Sequence, residues 1–586
     1  MKTSDYIINF IEKQGTNCIF SMSGGMITHL EDSIFLNNNL KLISLKHEQS
    51  SAFAAEGYAR STGKMGVAMG TSGPGATNMI TGIASAFYDS IPVLYITGQV
   101  NTNEITQNLN IRQTGFQEAD IVSISKKITK FSYQIKKSEE IRYILEKSFF
   151  LANHGRKGPI LLDIPMNIQK EEINENDLIS FFDSEEYNNF VKILNYDKNI
   201  NYLEIINLFK KSTKPIILVG GGVKFIKNKN YIKDLSERFN IPIVSSLMGL
   251  DSINHDFKNY IGMIGSYGNR EANISLMNSD LILVLGSRLD IRQTGADKNK
   301  FIENKTIIHV DIDKNELGYN IKKTQFKINQ DLDVFLETLL DFINNNNISL
   351  DFYKWKTKTL KIKEIISKTI NKKDNGFHNP SYILGILSKG IKKEKIIVND
   401  VGQNQMISST VFNLNSNDEM LNSGGLGSMG FSLPTSIGAS ISNKDKFIIS
   451  VNGDGGFQMN IQELESIKYH NLPILIIILN NNSLGMVREF QDSYFEGRNI
   501  GTVIGYSCPN FKKIAKAYGI DYFKIGKGNF KGILKKCSGI NKPTILEIEQ
   551  NPKSSITKVM FGNTIDNQSP ELDDKIKNKI KILLSK

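Results

Sequence analysis

The sequence predicts an α/β protein made of three consecutive, doubly wound parallel-sheet domains. Three observations lead there. The chain has 586 residues, too many for one core when a domain takes roughly 100–200. Short apolar runs alternate with helix-length amphipathic stretches, a pattern that covers both faces of a parallel sheet with helices. Two polar stretches, residues 169–201 and 344–379, divide that alternation into three parts.

The elements follow in order. Residues 1–15 read as an amphipathic helix capped by Thr3 or Ser4. The first part then carries strand-like runs at 18–22, 40–45, 66–69, 93–97 and 160–164, with helical patterns at 50–62 and 76–88. The second part has strands at 215–219, 242–245, 281–285 and 306–311. The third has strands at 396–399, 446–451, 474–479 and 544–547. Domain bounds of 1–170, 190–345 and 375–556 follow, with a tail at 557–586 that ends in a short basic helix. The polar stretch 169–201 is expected to be a linker, and the first and third domains are open to sharing a topology.

Composition narrows the function classes. Hydrophobic residues are 40% and charged residues 22%, ordinary for a globular chain, which excludes a disordered or fibrous one. No run approaches the 18 or so apolar residues of a membrane span, so no membrane partner is expected. Asp5 and Glu12 interrupt the apolar N-terminus, unlike a signal peptide. Cys18, Cys508 and Cys537 form no metal or redox spacing, and a reducing cytoplasm is the expectation. The net charge of +11 comes from lysines scattered among Asn and Ile, without a basic block interleaved with aromatics, so no nucleic-acid partner is expected.

The strongest motif lies in the third part. Gly453-Asp454-Gly455 follows a strand, and 24 residues later Asn480-Asn481 ends the next one. Glycines let backbone N–H groups approach an anion at a helix start. Asp454 and Asn481 offer hard oxygen ligands suited to Mg²⁺ or Ca²⁺. Both sit at carboxyl ends of strands, where open α/β sheets bind ligands. Singly these are a tight turn and a loop; together they read as a cation and anion site. Glu48 starts a helix after a strand and, taken alone, is a carboxylate favoured by the helix dipole. The adjacent His47 reads as structural. The glycine-rich turn at 70–78 is either a cofactor wall or an ordinary βα turn. Gly220-Gly221-Gly222 follows a strand, but Phe225 stands where Gly-x-Gly-x-x-Gly needs its third glycine, which disfavours a nicotinamide dehydrogenase.

The Gly-Asp-Gly and Asn-Asn spacing resembles the binding motif of thiamine-diphosphate-dependent enzymes. With Lys46-His47-Glu48-Gln49, residues 54–60 and the loops at 400–405 and 423–430, the resemblance covers about residues 1–550. Within that family it is nearest the large catalytic subunits of acetolactate synthases. The resemblance implies the thiamine-diphosphate-binding fold, with pyrimidine, central and diphosphate domains in that order. It implies that Asp454, Asn481 and the backbone carbonyl of Ser483 hold Mg²⁺, that Gly402, Gln403, Gly427, Gly453, Gly455 and Met486 line the cofactor pocket, and that Met429 bends the cofactor. Glu48 matches the glutamate that hydrogen-bonds N1′ of the aminopyrimidine and starts the proton exchange that activates the cofactor, a role that needs a protonated carboxyl. Phe116 and Gln117 match a loop facing the substrate. Arg292 matches the arginine that holds an acceptor carboxylate, for which a guanidinium fork is well shaped. Gly220, Gly286, Arg288 and Asp311 match an FAD site without net redox work; a vestigial fold holding nothing or ADP is the other reading.

The implied reaction decarboxylates pyruvate and joins the two-carbon unit to a second 2-keto acid. The resemblance also implies a homodimer or a tetramer, and leaves a small regulatory subunit open. This chain departs from the family at several places. Phe490 replaces a tryptophan, Pro165-Met166-Asn167 lacks a channel lysine, and Asp290-Ile291-Arg292 replaces Asp-Asp-Arg. Ser23-Gly24-Gly25 replaces Pro-Gly-Gly, the loop at 102–114 with Arg112 is longer, and residues 561–572 are unlike the family's tail. These changes touch the acceptor pocket, and a carboligase acting on a nucleotide-linked keto-sugar is the alternative reading. A catalytically silent subunit would lack Glu48, Asp454 or Asn481, and all three are present.

Overall fold

A computed structural model of the chain describes residues 1–106, 111–193, 196–197, 199–321, 326–369 and 371–585. Three sheets of six strands each stand in series, and all their pairings are parallel.

The first sheet runs, in spatial order, Lys41–Ser44, Cys18–Ser21, Gly66–Gly70, Val93–Gln99, Ile160–Pro165 and Phe131–Gln134. The third runs Glu419–Asn422, Lys395–Asn399, Phe447–Gly453, Ile474–Asn480, Thr544–Glu549 and Asp521–Ile525. Counted along the chain, both follow the order 2-1-3-4-6-5, so the first and third domains do share a topology. The central sheet runs Phe326–Asn329, Thr306–Asp311, Leu281–Leu285, Pro215–Val219, Ile243–Ser245 and Tyr260–Met263. Read from its other edge that is 3-2-1-4-5-6, the dinucleotide-fold order. Strand order reverses between the first and third strands of the outer domains and between the first and fourth of the central one. Those reversals open crevices at the strands' carboxyl ends, and each crevice holds residues singled out above.

The first and third domains share one core. Helix Glu48–Thr62 packs along helix Ser432–Ser442, with Phe53, Tyr58, Leu433 and Ile437 buried between them. A Cβ on Gly438 would collide with the Ala54 carbonyl, so the approach demands glycine there.

Several expectations change. The stretch 169–201 is not a bare linker: Phe181 is fully buried against Tyr143 and Phe150, and helix Glu185–Ile193 follows. Residues 344–379 contain helix Tyr353–Ser367, in which Lys354 and Lys361 are exposed while Trp355, Lys356, Ile362 and Ile366 are buried. The first helix spans Thr3–Lys13 with Lys2 at its cap; Thr3 and Ser4 are buried, because the Thr3 amide and hydroxyl both donate to the Glu171 carbonyl. The loop at 102–114 lies partly outside the described residues. The tail does end in a basic helix, Asp574–Ser585, and before it Lys558–Val559 pairs antiparallel with Gln568–Ser569 against the central domain.

Asp163, on the first sheet, gives a pH test. It is 1% exposed and accepts hydrogen bonds from Thr97 Oγ1 at 2.6 Å, Gln134 Nε2 at 2.8 Å and Gln99 Nε2 at 3.0 Å. Burial pushes its carboxyl from 3.8 up to about 6. A folded-state value above the unfolded one means the native protein holds an extra proton between them. The contribution is therefore present below pH 3.8 and lost as pH rises through about 6. Between pH 5 and 7.5 the wild type should lose about 1.4 kcal/mol of stability relative to Asp163→Asn, the last unit of pH below the folded value. Melting curves of the pair over that range should diverge in this sense, and parallel curves would refute it.

Candidate functional site

The crevice of the third sheet opens between Asn399 and Gly453, which end adjacent strands. Helix Gln403–Val411 starts there, with Gly402 before it at φ 154°, a conformation other residues rarely adopt. Helix Gly485–Tyr494 starts one strand further along, and the turn of Asp454 lies between the two. Their amino ends converge, and orphan N–H groups with positive dipole ends suit a diphosphate-like anion.

Side chains lock this convergence. Asn481 Nδ2 donates to Gln403 Oε1 at 2.8 Å, and the Ser483 amide donates to Asn481 Oδ1 at 3.1 Å. Asn404 Nδ2 donates to the Asp400 carbonyl at 2.6 Å. Asp400 is buried and accepts the amides of Val401 at 2.8 Å, Gly430 at 3.0 Å and Ser432 at 3.1 Å, which ties the 423–430 loop to the crevice. Burial pushes the Asp400 carboxyl up to about 6.

Asp454 is 2% exposed, and burial pushes its carboxyl up to about 6 as well. Among the described residues, Asp454 Oδ2 and Ser483 Oγ are buried without hydrogen-bond partners, and the Tyr506 hydroxyl is buried next to the Asp454 carboxylate. A buried carboxylate oxygen left unpartnered is costly, and a hard cation at that point would satisfy it. The residues therefore fit Mg²⁺. No group of three or more His, Cys, Asp and Glu that could hold a metal occurs among the described residues, so a cation here would rest on one carboxylate, amide and backbone oxygens, and its anion. A Cβ built on Gly455 would sit 3.6 Å from the Met429 methyl, which places Met429 over the same hollow. Gly427, at φ 70°, lies in the same loop. Met486 instead packs half-buried against the third domain's core.

The first sheet's crevice holds Glu48. His47 caps its helix, with Nδ1 accepting the Gln49 amide at 3.1 Å, which is the structural role expected for it. The Glu48 carboxylate is 9% exposed and accepts from Asn78 Nδ2 at 2.9 Å. It lies in a slot walled by glycine: a Cβ on Gly75 would be 3.3 Å from Glu48 Oε1. The turn at 70–78 is thus a wall beside a carboxylate. Ser72 Oγ donates to the Gln117 carbonyl at 2.5 Å, so Gln117 joins this crevice at a left-handed φ of 65°, while Phe116 is 80% exposed. Strain at a non-glycine residue of this kind is common at functional sites.

The central crevice is a cavity of about 420 Å³, within the range of ligand pockets. Gly222, Gly286, Arg288, Arg292 and Asp311 line it, bringing all the central-domain candidates except Gly220 onto one wall. Gly220 lies behind that wall, where a Cβ would collide with the Gly286 carbonyl. Arg288 pairs with Asp290 at 3.2 Å, and Asp290 also accepts the Arg292 amide at 2.9 Å. The exposed Arg292 guanidinium stands 5.8 Å from the Tyr267 ring centre. Burial pushes Asp311 up to about 6.

Residues of the first and third domains line the cavity as well. Arg60 lies there, buried between Glu56 at 2.5 Å and Asp89 at 2.6 Å. Asp89 also accepts the amides of Gly424 at 3.0 Å and Gly425 at 2.7 Å, which links the cavity to the loop carrying Met429. Sequence reasoning missed Asn78, Tyr506, Glu56, Asp89 and Glu489. Arg60 and Glu56 stood inside one quoted motif and Asn78 inside the glycine-rich turn at 70–78; the others carry no spacing signal.

Three family models match the chain, one after another. The thiamine pyrophosphate enzyme N-terminal TPP binding domain matches residues 1–124, its central domain 203–339 and its C-terminal TPP binding domain 400–548. The acetolactate synthase large subunit of Lactococcus lactis is 35% identical over 93% of this chain and 92% of its own length. That of Buchnera aphidicola (Schizaphis graminum) is 37% identical over 88% of each. The chloroplastic acetolactate synthase of Arabidopsis thaliana is 32% identical over 98% of this chain and 85% of its own.

Proposed function

Because the chain belongs to the thiamine pyrophosphate enzyme family, we propose that it is a carboligase of the acetolactate synthase type. It takes CO₂ from pyruvate and joins the remaining two-carbon unit to a second 2-keto acid. The observation that carries this is the buried Asp454 carboxylate between converging helix starts, with its Oδ2 left without a hydrogen-bond partner. Thiamine diphosphate supplies the electron sink for decarboxylation.

The chain's residues do the rest. Asp454, Asn481 and the Ser483 carbonyl hold Mg²⁺, and the backbone around Gly402, Gln403, Gly453 and Gly455 holds the diphosphate. Met429 and Gly427 shape the pocket, and Met486 backs it from the core. Glu48, in its dry glycine-walled slot, holds a proton at the pyrimidine N1′ position. Gln117 and Phe116 face the substrate. Arg292 grips the acceptor carboxylate through its fork. Gly222, Gly286, Arg288 and Asp311 suit FAD in the central cavity, with Gly220 allowing the turns to meet behind it.

A homodimer is the minimum active unit in this proposal. Glu48 touches Asn78 and the glycine turn of its own domain, and Asp454 lies among third-domain residues. Exposed Phe116, Val487, Phe490 and Ile500 offer apolar surface for a second copy to cover. A tetramer and a smaller regulatory subunit extend the proposal; the latter rests on the relatives' name of large subunit. Three unpaired cysteines fit a reducing cytoplasm, and no helix among the described residues is long and apolar enough to cross a membrane.

The test is dependence. CO₂ release from pyruvate by purified protein should require both thiamine diphosphate and Mg²⁺ and stop on chelation. Release that persists with either withheld from stripped protein would overturn the proposal.

A further inference from the structure

The helix that begins at Gly485 carries a buried carboxylate not yet given a role. Glu489 is 5% exposed. Its Oε1 accepts from Gln403 Nε2 and, at 3.0 Å, from the Ile556 amide. Its Oε2 takes the Lys558 ammonium at 2.5 Å. Gln403 Nε2 also reaches the Ser554 carbonyl at 3.3 Å, and Arg488 Nη2 donates to that same carbonyl. One carboxylate thus joins the crevice residue Gln403 to the segment that leads into the C-terminal tail.

A carboxylate only accepts hydrogen bonds, so it dictates the order of everything donating to it. The end of the Gln403 amide facing Glu489 must be its NH₂. Its oxygen therefore faces Asn481, which must answer with its own NH₂, as the 2.8 Å contact records. The Asn481 oxygen is then left on the far side, where it accepts the Ser483 amide beside Asp454. Reversing either amide would set two donors or two acceptors face to face inside a buried site.

We propose that Glu489, clamped by Lys558 and the Ile556 amide, is a positioning residue for the cation site: through Gln403 it fixes the Asn481 amide so that oxygen, not nitrogen, is presented to the cation. The inference rests on the reading of Asn481 and Asp454 as Mg²⁺ ligands. It also makes the C-terminal segment part of that site, since Lys558 comes from the strand that pairs with Gln568–Ser569.

The test uses the full chain, with Mg²⁺ titrated calorimetrically at saturating thiamine diphosphate and folding checked by circular dichroism. Glu489→Gln can offer its oxygen to Gln403 only by turning its NH₂ toward Lys558, donor against donor. Its Mg²⁺ affinity should fall about 10–100-fold, as for other residues that orient metal ligands. Adding Lys558→Gln supplies an acceptor for that NH₂ and should recover at least about tenfold of the loss. A purely structural role would lower the melting temperature without this loss and rescue. Wild-type affinity in Glu489→Gln, or a folded double variant that recovers nothing, overturns the inference. Asp454→Ala separates the two layers: if it binds Mg²⁺ like wild type, the metal-site reading itself fails and the inference with it. If Glu489→Gln does not fold, Lys558→Met carries the test, since it unclamps Glu489 from a half-exposed position; it should bind Mg²⁺ several-fold more weakly, about 3–10-fold, and unchanged affinity overturns the inference.

Discussion

Replacing Asp454 by Ala should abolish Mg²⁺-dependent binding of thiamine diphosphate. Asp454 is the carboxylate at the convergence of the Gln403 and Gly485 helix starts. Its Oδ2 is buried without a partner, so the protein keeps a charge there that it does not itself satisfy. Asn481 and a backbone carbonyl remain in the variant, but neutral oxygens alone hold a dication poorly. Affinity for the Mg²⁺–cofactor pair should fall by at least about 100-fold. The metal-free protein should behave in the opposite sense. Removing an unsatisfied buried carboxylate relieves a desolvation cost, so the variant should melt no lower than wild type without ligand. With ligand, wild type should gain several degrees by mass action and the variant should gain nothing. A variant that melts lower without ligand yet still gains stability with it would contradict the assignment.

Replacing Glu48 by Gln should leave cofactor binding within a few-fold of wild type while turnover falls about 10²–10⁴-fold, the range for loss of a positioned acid or base. Glutamine fills the same slot between the Gly70 and Gly75 turns, and its oxygen can still accept from Asn78. What it cannot do is exchange a proton with a ring nitrogen. Calorimetry and CO₂ release measured on the same preparation would separate the two effects. Unchanged turnover would remove Glu48 from catalysis, and lost binding with lost turnover would make it a packing residue.

The parts of this molecule legible in the sequence were those whose signal is local. Gly453 and Leu479 face each other on neighbouring strands, so the two halves of the Gly-Asp-Gly and Asn-Asn motif are one βα unit apart, and that unit has a fixed length. The central strands were legible because burial on both faces makes them continuous apolar runs such as Leu281–Leu285. The edge strands Phe131–Gln134 and Asp521–Ile525 were missed because they are largely half-buried and carry mixed residues. Helix Tyr353–Ser367 hid because its lysines recur on both faces: Lys356 is buried along with Trp355, Thr359, Ile362 and Ile366, which blurs the apolar stripe. The Glu489 clamp joins residues far apart in the chain, Gln403, Ile556 and Lys558, and no spacing rule connects them. The same holds for Asp89, which reaches Gly424 and Gly425 from another domain. Arg60 shows the intermediate case. Its motif was visible, but its place on the wall of the central cavity follows from how the first and third domains share a core.

The acceptor pocket is where the sequence resemblance places this chain's departures from the family pattern. Met166 stands where the resemblance implies a channel lysine, and the side chain of the next residue, Asn167, is committed to Thr102 and Glu171. Phe490 is exposed, and its ring lies tilted by 48° against Tyr494 with centres 4.7 Å apart. The most direct measurement is therefore the stoichiometry of products from pyruvate alone. Purified protein would receive thiamine diphosphate, Mg²⁺, FAD and pyruvate, with CO₂ and acetolactate followed together. The account predicts one acetolactate for each CO₂ released, because the two-carbon unit is passed to a second pyruvate held by Arg292. CO₂ release with little acetolactate would contradict it, and would point to an acceptor of another class, such as a keto-sugar.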